Sequence, residues 1–169
     1  FIDQRFIDFS DNKEAFNPLE YLDKNIIILR SFNNFYGYEN LQLCYLICNE
    51  ELSEFIQQSN IFNGPNNFDE QLAYIAYKDK KYNKLVKKMI TKERKRIFKK
   101  LDNLDISYLP SEVNYFLLNN NNNYDTNVKL LEENNIILYK SDDTYGEYLT
   151  IPISEPEVND KVIDILSNE

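Results

Sequence analysis

Hydrophobic positions along this chain fall into short runs of two kinds. Residues 1–7, 25–30, 42–48, 105–109, 113–118, 136–140 and 147–153 are brief stretches rich in Ile, Leu, Phe and Tyr, and they are predicted strands. Residues 17–22, 50–58, 68–101, 125–134 and 156–167 are predicted helices. The last opens at Glu155-Pro156, which puts a proline in the first turn. The 68–101 segment carries Leu72, Ile75, Ala76, Tyr82, Leu85, Val86, Met89, Ile90, Ile97 and Leu101 at three- and four-residue spacing. One unbroken helix is expected there, with Leu72, Tyr82, Leu85, Val86, Met89 and Ile97 facing inward. Three strands and a loop precede it, and a compact βαβ-like unit follows, in which the strands near 113–118 and 147–153 pair. The asparagine run at 119–123 is low-complexity and reads as a mobile loop. No internal repeat is present.

Composition narrows the class. A chain of 169 residues is about one domain long and can bury a core, and a two-lobed arrangement is compatible with that size. No run approaches the roughly 20 apolar residues of a membrane span, and the N-terminus does not resemble a signal peptide. Cys44 and Cys48 lie too close in one apolar strand for a disulfide framework. With no histidine, a zinc cluster would lack ligands, so no metal site is expected and a reducing cytoplasm fits. Phe1 stands where a Met would open a chain, and "FIDQRFIDF" reads as a strand already under way, so a longer parent protein is expected.

A net charge of −9 argues against nucleic acid, yet residues 78–100 hold 12 of the 19 Lys and Arg. The plainer reading is the solvated face of the long helix. The alternative is a surface for a phosphate-rich or acidic partner.

Candidate chemistry starts at "SFNNFYG", residues 31–37, where a hydrophobic strand runs into two asparagines, an aromatic pair and Gly37. This word belongs to "SFNNFYGYENLQLCY" at 31–45. With "IDQRFIDFS" at 2–10, "SEVNYFLL" at 111–118 and "YLTIPISEPEVN" at 148–159 it forms a series. In order and distance the four words resemble the C-terminal half of fold-type I pyridoxal-phosphate enzymes, nearest to histidinol-phosphate aminotransferases. The implied fold is α/β: part of the large-domain sheet in residues 1–75, a long interdomain helix over 76–101, and a small α+β domain in 102–169. A helix broken near Tyr82 would count against the resemblance.

The resemblance also shows what has changed. The family's Schiff-base lysine falls on Asn34 and the serine before it on Asn33. An amide nitrogen, delocalised into its carbonyl, cannot form an imine, so no covalently bound cofactor is expected although the family cofactor is pyridoxal phosphate. The arginine that clamps the cofactor phosphate falls on Gln42, losing a charge-assisted contact. The tyrosine that bonds the ring hydroxyl falls on Phe6. Asp3 keeps the carboxylate that pairs with the pyridine nitrogen. On the substrate side, the family arginines fall on Tyr139 and at or beside Thr150, and Asn114 is retained.

Each position also has a plainer reading. Asp3 caps a strand end, Asn33 and Asn34 are turn residues before Gly37, Gln42, Phe6, Thr150 and Tyr139 are structural replacements, and Cys44 is a packed thiol. With no histidine in the chain, the lysine's role cannot pass to an imidazole.

Three functions remain open. One is a degenerate aminotransferase-like segment without transaminase activity, serving as scaffold or interaction part of a larger protein. Another is part of a working enzyme whose missing half and lysine come from another chain. The last is an anion-binding module using helix 78–100. The expected partners are a second copy or an upstream N-terminal segment or chain that completes the large domain, because an incomplete sheet exposes its edges. No membrane partner is expected.

Overall fold

Parallel pairing of β1 (Ile2–Asp3) with β2 (Ile28–Ser31), and antiparallel pairing of β2 with β3 (Cys44–Ile47), builds a three-stranded sheet in the order β1-β2-β3. The computed structural model describes residues 1–12, 17–38, 43–59, 64–119, 124–138 and 148–167. The chain divides into two compact units, Phe1–Lys87 and Lys88–Glu169.

In the first unit the expected strand over 1–7 shrinks to two residues. The Ile7 and Phe9 amides donate to the Gln4 and Phe6 carbonyls, turning the chain into a 3-10 helix over Ile7–Phe9. A second 3-10 stretch, Pro18–Lys24, stands where a helix over 17–22 is expected, with Asn17 accepting from the Leu19 amide. Helix α1 (Glu50–Gln58) starts on Asn49, whose side chain accepts from the Leu52 amide. Helix α2 (Asn67–Lys78) starts on Asn66, which accepts from the Asp69 amide and donates to its carboxylate. Phe9, Ile28, Phe35, Ala73 and Ala76 are buried.

The single helix expected over 68–101 is two. Helix α3 (Lys80–Asn103) begins after Asp79, where ψ swings to 72°. Asp79 serves both ends. Its amide closes α2 on the Ile75 carbonyl, and its carboxylate accepts from the Tyr82 amide at 2.9 Å to open α3. The Asn83 side chain bridges the joint by donating to the Ala76 carbonyl. The inward set also changes: Ile97 is buried and Leu72 and Val86 are half-buried, but Tyr82, Leu85 and Met89 are exposed. Burial follows what packs against a position, and the apolar stripe alone does not supply a cover.

In the second unit, β4 (Tyr108–Leu109), β5 (Tyr115–Asn119) and β6 (Tyr148–Pro152) form an antiparallel sheet, with β5 pairing β6 as expected. Alternation along β5 and β6 turns Phe116, Leu118, Leu149 and Ile151 to one face. There they meet Ile97 and Leu101 of α3, Leu131 of α4 (Tyr124–Glu133), and Val162 and Ile163 of α5 (Pro156–Ser167). Burying side chains of this size contributes about 1.5–3 kcal/mol each.

Residues 136–138 are not the expected strand. Asn135 takes a left-handed φ of 61°, and the amides of Asn135 and Ile136 close α4 on the Glu132 and Leu131 carbonyls. Ile136 and Leu138 then pack on the core as irregular chain. Residues 139 and 140 of that expected strand, and 120–123 of the asparagine run, lie outside the described residues. Among the described residues no helix is long and apolar enough to cross a membrane.

Four of the cations in 78–100 serve the fold. Lys87 donates to the Ser10 carbonyl, and buried Arg94 to the carbonyls of Glu112 and Val113. Arg96 and Lys100 pair with carboxylates of α3 and α5.

Candidate functional site

Because β1 and β2 run parallel, their C-terminal ends share one edge of the first sheet, the edge at which open α/β sheets carry their ligands. The residues leaving β1 and β2 there include Asp3, Phe6, Asn33 and Asn34. Two contacts tie the loops together. Phe9 packs edge-on against Phe35 with centroids 5.1 Å apart, and the Tyr36 hydroxyl donates to the Asp8 carboxylate at 3.4 Å. Burial, and then the Asp8 charge, push the Tyr36 phenol above its usual range.

Asp3 is not free to receive a ligand. Arg5, two residues on, donates its Nε to both carboxylate oxygens at 3.1 and 2.9 Å, its Nη2 to Oδ2 at 2.7 Å, and its backbone amide to Oδ1 at 2.9 Å. These bonds hold the Asp3 carboxyl below its usual range against a smaller opposing effect of partial burial. The next residue, Gln4, is buried and accepts from Arg30 of β2 at 3.0 and 3.2 Å. Phe6 carries no hydroxyl and stacks on Phe9.

Ser31 ends β2, and its hydroxyl accepts from the Asn33 amide at 3.0 Å, which folds the chain into the turn that presents Asn33 and Asn34. Asn33 Oδ1 is buried and has no hydrogen-bond partner among the described residues. Asn34 is half-buried. Gly37 ends the turn at φ 76°, a conformation that favours glycine. Gln42 lies outside the described residues.

The second unit places Asn114 just ahead of β5. Its carbonyl accepts from the Ile153 amide at 2.8 Å, and Arg94 holds the two preceding carbonyls. Asn114 Oδ1 is buried and, like that of Asn33, has no hydrogen-bond partner among the described residues. Thr150 lies opposite Leu117 in the ladder, between buried Leu149 and Ile151, so it occupies the sheet face away from the core. Tyr139 lies outside the described residues.

Sequence reasoning missed Arg5, Ser31, Tyr36, Asp8 and Arg94. Two of these carry a local signal. Asp3-x-Arg5 has the two-residue spacing that puts side chains on one side of an extended chain, and Ser31-x-Asn33 is the spacing of a serine turn.

The family model described as aminotransferase class I and II matches residues 1–166. This chain belongs to that family. The match runs through Asp79, so helix continuity near Tyr82 was the wrong criterion for membership. Histidinol-phosphate aminotransferase 2 of Archaeoglobus fulgidus is 28% identical over 168 residues, covering 98% of this chain and 48% of that protein. Among solved structures, histidinol-phosphate aminotransferase from Sinorhizobium meliloti, crystallised with pyridoxal-5'-phosphate, superposes with a TM-score of 0.78 at 21% identity, over 98% of this chain and 46% of its own. A decarboxylase from Sulfurospirillum multivorans gives 0.82 at 22%, over 99% and 51%. Such identities show the fold, which aminotransferases and a decarboxylase share. The chain spans about half the length of the relatives it matches.

Proposed function

We propose that this chain is a degenerate aminotransferase-like segment that does not itself transaminate and serves as a scaffold or interaction part of a larger protein. The observation that carries this reading is the turn after β2, where Asn34 stands at the position that the resemblance gives to the cofactor-binding lysine. Pyridoxal phosphate, when bound in this family, supplies an electron sink for reactions at amino acids. The residues here do not fit its covalent attachment. The Asn34 amide is not a nucleophile, and the Asp3 carboxylate that would face the pyridine nitrogen is already engaged by Arg5. Phe6 supplies no donor for the ring hydroxyl, and Thr150 no cation for a substrate carboxylate.

The same reading puts the segment in the cytoplasm and in association with a second copy or with the complementary part of the fold. A second reading is favoured by the half-length match: the chain is one part of a working enzyme, with the lysine delivered by another polypeptide. The variant Asn34→Lys separates the two. Under the first reading it restores the amine without restoring amino-group transfer, because cofactor and substrate remain unheld and misplacement alone costs about a hundredfold in rate. Restoration to a family-like rate by that single change would overturn it.

A further inference from the structure

Between β3 and α2 the first unit holds a cleft of about 440 Å³, within the size range of small-molecule sites. Phe32 and Tyr45 line one side, with ring centroids 5.4 Å apart. Glu70, Tyr74 and Tyr77 line the other, at the helical spacing that puts them on one face of α2. Tyr45, Tyr74 and Tyr77 are exposed. The walls are mainly apolar, and Glu70 is the one charged side chain among the lining residues.

The charge of the occupant follows from the rings and the carboxylate. The Lys78 ammonium stands 5.3 Å from the centre of the Tyr74 ring and the Lys80 ammonium 3.6 Å from that of Tyr77, so both rings of α2 already attract cations. Neither lysine lines the cleft. Each ring has a second face of the same negative character. The Glu70 carboxylate makes no hydrogen bond or ion pair among the described residues. An anion would meet that carboxylate with no lining cation to offset it, whereas a cation meets a counter-charge and ring faces together.

The apolar walls then select the kind of cation. A primary ammonium entering the cleft gives up its hydrogen bonds to water and finds few acceptors in return. A nitrogen bonded only to carbon keeps the charge and has no N–H to leave unpaired. We infer that this cleft binds a small quaternary ammonium compound, its alkylated nitrogen against the faces of Phe32, Tyr45, Tyr74 and Tyr77 and its charge opposite Glu70. Nothing in the site depends on Asn34 or Asp3, so the inference stands apart from the loss of transamination.

The test titrates three probes of similar size into the 169-residue chain by calorimetry, with ring resonances followed by NMR. They are choline, the neutral alcohol in which carbon replaces the choline nitrogen, and ethanolamine, the corresponding primary amine. Choline is expected to bind one-to-one and to shift the Tyr45, Tyr74 and Tyr77 rings, and the other two to bind at least about tenfold more weakly. Glu70→Gln should weaken choline by about tenfold and leave the neutral alcohol unchanged. Tyr74→Leu should remove most of the preference for choline while keeping an apolar wall. Both side chains are exposed on α2, so the melting temperature should not move, and a Glu70→Gln variant that melts normally keeps the test decisive if the Tyr74 variant does not fold. Equal affinity for choline and either analogue, choline binding that Glu70→Gln leaves intact, or no saturable choline binding by the folded chain would each overturn the inference.

Discussion

Asn159 donates its side-chain amide to Oε1 of Glu93 across 2.9 Å, joining α5 to α3 inside the second unit where both residues are buried. The same Asn159 side chain accepts from the Ser154 amide and donates to its carbonyl, fixing the turn between β6 and α5. Arg96 closes on the Glu93 carboxylate at 2.7 Å and on Asp160 at 2.9 Å. Asn159→Leu leaves the Ser154 groups and part of a buried carboxylate without partners. It should destabilise the chain by about 1–3 kcal/mol in urea unfolding, with the loss focused on amides of α5.

Acid should release the same network. Hydrogen bonds from Arg96 hold the Glu93 carboxyl below its ordinary 4.5, and Arg96, then Lys100, lower that of Asp160 from 3.8. With the folded values depressed, the unfolded chain binds protons first as pH drops below about 4.5. The stabilisation is therefore present above that pH and lost as pH falls through the folded values. Asp160 is partly exposed, so Glu93 carries most of the effect. Glu93→Gln should flatten the acid limb of a plot of urea midpoint against pH.

Tyr36 predicts the opposite limb for the first unit. Its folded value is raised from 10.0, so the unfolded chain ionises first as pH climbs past 10, and stability present below that pH is lost above it. Ultraviolet titration should find Tyr36 ionising late, as burial also raises Tyr108, and Asp8→Asn should bring Tyr36 down by removing a like charge.

Gly37→Ala should cost about 1 kcal/mol. A methyl group there would stand 3.8 Å from the Tyr82 hydroxyl, in ordinary contact, so the cost comes from φ 76° alone. Gly37→Asn should be milder, since asparagine tolerates that region better. Thermal melts of the two variants compare them directly.

Several elements could be read from the sequence because their signals are local. α1 follows an asparagine cap, α5 a proline in its first turn, and β5 and β6 alternate. The break at Asp79 was hidden because the apolar stripe runs through it, and only a capping aspartate marks the joint. Ile136 to Leu138 has strand-like composition, but the left-handed Asn135 closes a helix before it and no partner strand pairs it among the described residues. At the candidate site, spacing alone did not bring Asp3 to the same sheet edge as Asn34. That followed from the resemblance and then from the parallel register of β1 and β2. The Arg5 fork on Asp3 and the unpartnered Oδ1 atoms of Asn33 and Asn114 depend on side-chain placement that residue types do not reveal.

The central claim is that this chain neither holds pyridoxal phosphate covalently nor transfers amino groups. The direct measurement is to incubate the purified chain with pyridoxal phosphate and an amino donor, follow amino-group transfer, then reduce with borohydride and map the adducts. The predicted result is no transfer above background, with only scattered, substoichiometric labelling of surface lysines. A single lysine labelled to one equivalent, together with transfer activity that follows the polypeptide through purification, would contradict the account.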